Sequence, residues 1–387
     1  MRVMHIITRM IIGGAQENTL VNCLDLVANF GDDVLLVTGP EQGPEGGLLR
    51  EGRAGGLAIQ CVDRMRRNIQ PVNDWIALGQ LKKSIKEFRP EVVHTHSAKA
   101  GLLGRAAAWS LQVPAIVHTV HGAPFHPYQS FAARRLFIEC ERWAAKRCHH
   151  MISVANAMTD LMVQAKIAGP EKFTTIYSGM CVEPFQTAKE FRGQARYELG
   201  IADDEVVFGK IARLFPLKGH EYLIEAAQRL VAQAPKCKIL LVGDGVLRAE
   251  LEQRIASLGL QTNFLFAGLV QPERIPYYLG AMDALVHTSL REGLARTLPQ
   301  ALIAGLPVIS YDIDGAREVV RPDETGFLLE PKSIEPLAQA MLALASDARL
   351  RERLGQGGAS RFTDQFRHET MTRRIRELYE RLLQAYR

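Results

Sequence analysis

The sequence lacks most of the features that would narrow its role at once. Its six cysteines (Cys23, Cys61, Cys140, Cys148, Cys181 and Cys237) are scattered and form no CxxC pair. That spacing argues against a zinc site or a disulfide framework and for a reducing, cytoplasmic compartment. No apolar run reaches the roughly 18 residues that a membrane-spanning helix needs. The longest candidate, around Gly101 to Val120, is broken by Arg105, Gln112 and Pro114. The opening "MRVMHIIT" has no long apolar core followed by a small-residue cleavage site, so it reads as a strand and not as a signal peptide. A net charge of +5 over 387 residues is too small to imply nucleic acid as a partner. With 47% hydrophobic and 23% charged residues the chain has a globular composition. Its length fits two α/β domains of roughly 150–200 residues each.

The basic residues that are present are uneven. "DRMRRN" (63–68), "LKKSIK" (81–86) and "RRLFIECERWAAKRCHH" (134–150) all lie in the first half. The last reads as an amphipathic helix, with Phe137, Cys140 and Ala144 on one side and Arg135, Arg142 and Lys146 on another. Two readings stand: a solvated helix face, or a patch that docks on anionic lipid head groups at the inner face of the membrane.

Short apolar runs alternate with helical patterns, which predicts βαβ units and parallel sheets. In the first half the strands fall near 2–8, 33–38, 91–95, 115–119 and 150–154, with helices near 15–29, 74–88, 99–110 and 131–147. Around 165–200 the rhythm falters at "AGPEKFTTIYSGMCVEPF", and a domain boundary is expected near 187. It restarts with strands at 205–211, 238–242, 262–266, 284–287 and 307–310 and helices at 219–233, 246–258, 272–280 and 296–304. The reading is therefore α/β: a doubly wound domain over 1–187, a second over 188–365, and a charged amphipathic helix over 366–387. Leu378, Leu382 and Leu383 give that helix an apolar stripe, expected to cross back to the first domain. Two such sheets bind ligands outside the carboxyl ends of their strands, in a cleft between the domains.

The residues just after strands carry the chemistry. Gly13 and Gly14 precede a helix, where free N–H groups and the positive end of the helix dipole suit a phosphate. His94 and His96 follow one strand, and His118, His121 and His126 the next. Their spacing, without HExxH or an acidic partner, makes a poor metal site, and no metal is assigned. His94 reads as a hydrogen-bonded core histidine, and His121, before Gly122 in a loop, as a contact to a polar ligand. Arg213 and Lys218, five apart at a strand–loop–helix junction with Gly219, form a phosphate clamp able to stabilise a departing diphosphate. "GDG" at Gly243–Gly245 fails the dinucleotide fingerprint, because position 248 is Arg248.

Taken in order, "GGAQ", the "HG" after the fourth strand, "SGMCVEPF", "ARLFPLKG", "LVGDG", "FAGLV" and "EGLARTLPQALIAGLPVI" span nearly the whole chain. Together they resemble glycosyltransferase family 4, retaining nucleotide-sugar enzymes of the GT-B fold. The resemblance implies a role for each. Gly13 and Gly14 approach the donor diphosphate, which Arg213 and Lys218 bind and neutralise. Gly243 lines the donor site. His121 contacts the transferred sugar, and Glu292 hydrogen-bonds its hydroxyls. Backbone N–H groups from Gly293 through Leu294, Ala295 and Arg296 to Thr297 cap the phosphate. Leu269 and Val270 lie near the base, and Gln300 faces the ribose. It also implies no cofactor and no metal. Cationic side chains and helix dipoles do that work, and no DxD motif occurs at these sites.

Two positions depart from the family pattern. Ser178-Gly179-Met180-Cys181 stands where Asn-Gly-Val-Asp is common, and Gln300 replaces the second acid of a Glu-x7-Glu motif. The function expected is transfer of a hexose or N-acetylhexosamine from a nucleotide sugar, UDP-linked, to a lipid-linked or surface-glycan acceptor. Alternatives are a non-catalytic sugar-nucleotide-binding subunit of a glycan-assembly complex, for which Gln300 is the motive, and a GT-B sugar-nucleotide epimerase.

Overall fold

The computed structural model describes residues 1–41, 47–49 and 55–386. It forms two compact units: Met1–Met180 joined by the segment from Phe366 onward, and Cys181–Gln365. The division thus falls ahead of residue 187. The physical reason is local. Met180 N–H donates to Phe366 O at 2.8 Å, and His368 N–H donates to Met180 O at 3.1 Å, tying Met180 to the returning chain. Phe185, five residues on, is buried in the second unit.

The first unit holds a seven-stranded sheet: β1 (Arg2–Ile7), β2 (Asp33–Thr38), β3 (Ala58–Cys61), β4 (Val92–His96), β5 (Ala115–Val120), β6 (His150–Ser153) and β7 (Phe173–Thr175), in the order β3-β2-β1-β4-β5-β6-β7. Its helices are α1 (Gly14–Phe30), α2 (Pro71–Phe88), α3 (Ala98–Ser110), α4 (Phe131–Ala145) and α5 (Asn156–Gln164). All pairings are parallel. Every residue of β4 and β5 is buried, as a sheet covered on both faces requires.

The second unit holds β8 (Val207–Ile211), β9 (Lys238–Val242), β10 (Phe264–Gly268), β11 (Ala284–His287), β12 (Val308–Tyr311) and β13 (Gly326–Leu329), in the order β10-β9-β8-β11-β12-β13, again all parallel. Its helices are α6 (Glu183–Gln186), α7 (Arg192–Leu199), α8 (His220–Val231), α9 (Arg248–Ser257), α10 (Ile275–Ala281), α11 (Thr297–Ile303), α12 (Ile334–Ser346) and α13 (Ala348–Phe362). In α8, Leu223, Ala227 and Leu230 recur at helical spacing and are buried in the core with Phe208 and Ile239.

The last helix, α14 (His368–Tyr386), belongs to the first unit. Met371, Ile375, Leu378, Tyr379 and Leu382 form its buried stripe, in one core with Val3, Leu20, Leu26 and Val117. Burial of each such side chain is worth about 1.5–3 kcal/mol before entropy is counted. Polar contacts with α1 fix the register. His368 Nδ1 lies 2.8 Å from Asp25 Oδ2, Thr372 donates to the same carboxylate at 2.8 Å, and Asn22 donates to Thr372 at 3.1 Å.

Candidate active site

In a doubly wound sheet the loops diverge where the strand order reverses, and that opening is the ligand crevice. In the second unit the reversal lies between β8 and β11. The loop after β8 carries Arg213 and Lys218, and the loop after β11 carries Glu292 and the Gly293–Thr297 turn into α11. The two loops meet. Lys218 Nζ and Glu292 Oε1 form an ion pair, and His287 Nε2 lies 3.7 Å from the same oxygen. Burial alone would raise the Glu292 carboxyl. The Lys218 ammonium and the His287 ring outweigh it and hold the group well below the usual carboxylate range. Lys218 and Arg213 were expected as paired phosphate cations, and the structure adds that Lys218 is also the partner of Glu292.

Backbone contacts lock these loops together. A Cβ at Gly219 would lie 1.9 Å from Thr288 O, and φ there is +65°, so only glycine fits. Thr288 Oγ1 donates to Gly219 O at 2.6 Å. Arg213 lies over the Phe215 ring, 5.1 Å from its centroid, and its carbonyl accepts from His220 Nε2–H at 3.1 Å. Gly243, after β9, has φ +135° and approaches Ala212 O so closely that a Cβ would lie 2.1 Å away. Its N–H donates to Gly268 O at 2.9 Å, just before Leu269 and Val270 in the loop after β10. Leu269 is half exposed. Gln300 lies in α11 and is buried.

Three side chains that complete this site were not expected from the sequence. Lys210, in β8, is buried and donates to Thr288 Oγ1 at 2.8 Å. Burial and the neighbouring Lys218 push its pKa down to about 7, against the pull of Glu292 and Glu221. A lysine inside the apolar strand "VVFGKI" was the available signal. Asp314 accepts from the Glu292 N–H at 2.6 Å, and Gly315 N–H donates to Gly293 O at 3.0 Å, so the loop after β12 braces the Glu292 turn. His287 is the third.

In the first unit the reversal lies between β1 and β4. Thr8, just after β1, and Ser97, just after β4, join hydroxyl to hydroxyl at 2.7 Å. Gly13 precedes α1 and Gly14 opens it. His121 follows β5 and lies 3.1 Å from His96 (Nε2 to Nδ1). His94 is buried between Thr119 Oγ1, at 2.6 Å, and the Tyr379 hydroxyl, as a hydrogen-bonded core histidine should be. Nitrogens of His5, His94 and His96 lie within 4.8 Å of one another, a spacing a metal ion could use. The nitrogens of His94 and His96 already have hydrogen-bond partners in the protein.

Two Rossmann-like units, each with its polar groups at a switch point, define the architecture as GT-B. Residues 14–179 match the family model described as glycosyl transferase 4-like domain, and residues 191–361 match glycosyl transferases group 1. The chain belongs to glycosyltransferase family 4. It is 29% identical over 349 residues to the Escherichia coli UDP-Gal:alpha-D-GlcNAc-diphosphoundecaprenol alpha-1,3-galactosyltransferase, covering 89% of this chain and 88% of that protein. It is 24% identical over 330 residues to the Staphylococcus aureus capsular polysaccharide biosynthesis glycosyltransferase CapM, covering 84% and 86%. The fold matches Anabaena Alr3699/HepE in complex with UDP-glucose at a TM-score of 0.84 and 22% identity, over 98% of this chain and 100% of that one.

Proposed function

We propose that this glycosyltransferase moves a hexose or N-acetylhexosamine from a UDP-sugar to a lipid-linked or surface-glycan acceptor, with retention and without a metal ion. The observation that carries it is the Lys218–Glu292 pair at the second unit's switch point, with Arg213 on the same loop as Lys218. Two cations suit a diphosphate, and a carboxylate held ionised suits sugar hydroxyls. The loops after β10, β9, β8 and β11 lie on consecutive strands, a span of about 14 Å at roughly 4.8 Å per strand. That length fits an extended nucleoside diphosphate sugar, base toward Leu269 and Val270, phosphates toward Gly243, Arg213, Lys218 and the Gly293–Thr297 backbone, sugar toward Glu292. Within the first unit, Gly13 and Gly14 at the start of α1 suit a phosphate, and His121 suits a sugar hydroxyl. The bond from the anomeric carbon to the diphosphate oxygen breaks as the acceptor oxygen bonds to that carbon from the same face. The departing phosphate oxygen takes the acceptor's proton, and Arg213 and Lys218 stabilise the released charge. The E. coli and S. aureus relatives, named for diphosphoundecaprenol-linked and capsular glycans, support the acceptor class.

The test is transfer from a panel of labelled UDP-sugars to polyprenyl-diphosphate-linked sugars, with and without EDTA. EDTA-resistant transfer with an unchanged anomeric configuration is expected. Loss of activity in EDTA overturns the metal-free step. Donor binding without transfer or hydrolysis would favour the non-catalytic subunit instead. Gln300→Glu tests the nucleotide end. A carboxylate accepts from a ribose diol more strongly than an amide, so donor affinity should rise by up to about tenfold. The turnover rate should change less, and a change confined to turnover would contradict the placement.

The first unit supports peripheral attachment to an anionic inner membrane surface. Phe131, Leu136 and Trp143 are exposed on α4 beside Arg134, Arg135 and Lys146, and Val72 and Trp75 are exposed on α2. Arg142, expected on that charged face, instead donates to Lys166 O at 3.1 Å and Ala165 O at 2.7 Å. Among the described residues no helix is long and apolar enough to cross a membrane. Co-sedimentation with phosphatidylglycerol vesicles should weaken as salt rises and weaken further in Phe131→Ser/Trp143→Ser. Binding indifferent to both would refute the attachment.

A further inference from the structure

The first unit carries a chain of histidines along one face of its sheet. His5 on β1 pairs in register with His94 on β4, and His96 stands two residues beyond, so all three point to one face of the sheet. Thr119 pairs with His96, and His121 lies two further along the chain after β5. On that face His5 Nδ1 lies 3.0 Å from His96 Nε2, and His96 Nδ1 lies 3.1 Å from His121 Nε2. The His5 and His96 rings are fully buried and stacked within 11° of parallel. The third ring of the cluster, His94, is satisfied by Thr119 and Tyr379.

The direction of this chain follows from counting protons. Burial holds His5 down to about 3 and His96 well below its ordinary range, so both rings are neutral near pH 7. A neutral imidazole has one N–H and one bare nitrogen. Each N···N contact needs one proton, so both hydrogen bonds must run the same way. His5 Nε2 is buried and has no hydrogen-bond partner among the described residues. If the bonds ran toward His5, that atom would carry a buried N–H with nothing to accept it, the rarer and costlier case. The bonds therefore run outward: His5 Nδ1–H to His96 Nε2, then His96 Nδ1–H to His121 Nε2.

We propose that His5 and His96 are positioning residues that fix the ring and tautomer of His121, occupying its Nε2 as an acceptor so that its single proton stays on Nδ1. A carboxylate or carbonyl behind a working histidine fixes its tautomer by accepting an N–H; His96 fixes that of His121 from the opposite side, by donating to its bare nitrogen. On the reading in which His121 meets the transferred sugar, it does so through Nδ1–H. That reading is needed only for the kinetic half of the test below.

The test has two parts. Long-range ¹H–¹⁵N correlation spectra of histidine-labelled full-length protein at pH 7 should show His121 with Nδ1 protonated and Nε2 bare, whether or not any sugar is transferred. An Nε2–H form, or a fast mixture of tautomers, overturns the proposal. So does one equivalent of metal in the purified protein, because a metal would take the same lone pairs. In the kinetic arm, His96→Leu should lower kcat by about ten- to a hundredfold with little change in donor KM. His96→Asn, whose amide can donate from near the Nδ1 position, should restore most of the loss and keep the His121 spectrum. Equal losses in both variants with the His121 tautomer unchanged would reduce the chain to packing. A correct tautomer in a protein with no transferase activity would uphold the chain and sink the sugar-contact reading alone.

Discussion

Lys218→Ala lowers kcat/KM for sugar transfer by about a hundred- to a thousandfold, the usual cost of removing one donor aimed at developing charge. Two losses combine. The diphosphate loses a cation, and Glu292 loses the partner that holds it ionised. The second loss has a sign. Glu292 sits below the ordinary carboxylate pKa of about 4.3, so its pairing persists as pH falls through that range. Without Lys218, burial dominates and the group protonates at higher pH, so the acid limb of the pH–rate profile moves upward. His287, 3.7 Å away, still favours the ionised carboxylate, but burial lowers its own pKa, so it makes up only part of the loss. Glu292→Ala should cost a comparable factor, and the double variant should lose much less than the product of the two. Steady-state kinetics from pH 4 to 9 on the three proteins decides it. Activity of Lys218→Ala within about twofold of the unaltered protein would remove the pair from the mechanism.

The largest effect on stability should come from the first unit. The Arg105 guanidinium is fully buried on α3, donating from Nε to Gly101 O at 2.7 Å and from Nη2 to Glu141 Oε2 at 2.9 Å. Among the described residues its Nη1 has no hydrogen-bond partner. Arginine cannot discharge by losing a proton, so Glu141→Ala leaves a full charge in an apolar interior. The expected cost is about 3–5 kcal/mol. For a unit of this size that lowers the melting transition by roughly 6–20 °C. Arg105→Met/Glu141→Leu should recover most of it, because two apolar groups of similar volume avoid the desolvation cost altogether. Calorimetry resolves the prediction: a transition within about 2 °C in Glu141→Ala would mean that the guanidinium finds water.

Most of the alternating strands and helices could be read directly, because β2, β9 and β11 are mainly apolar runs and α8 and α14 carry helical stripes. The edge strands β3, β7 and β13 could not. They are three or four residues long and mostly half-buried or exposed, so they lack the continuous buried, mainly apolar run that marks β11 and β12. Nothing was read into 312–365, although α12 and α13 lie there. At the site, Arg213, Lys218 and Glu292 were visible because polar residues follow strands in ordered motifs. Asp314 and His287 were not, since their roles depend on which loops touch. The histidine chain was legible only as a cluster. Its bonds depend on the register of β1 against β4, which no local spacing records.

The path of the chain also sets an order of assembly. The second unit is inserted between β7 and α14, so its core can close while the first unit still lacks Met371, Ile375, Leu378, Tyr379 and Leu382. Until α14 emerges from the ribosome, His94 has no hydroxyl from Tyr379, and Asp25 lacks both of its partners. The unit made first is thus finished last. Through most of synthesis its nascent form carries an open apolar face along α1, which is where a chaperone would be expected to hold it.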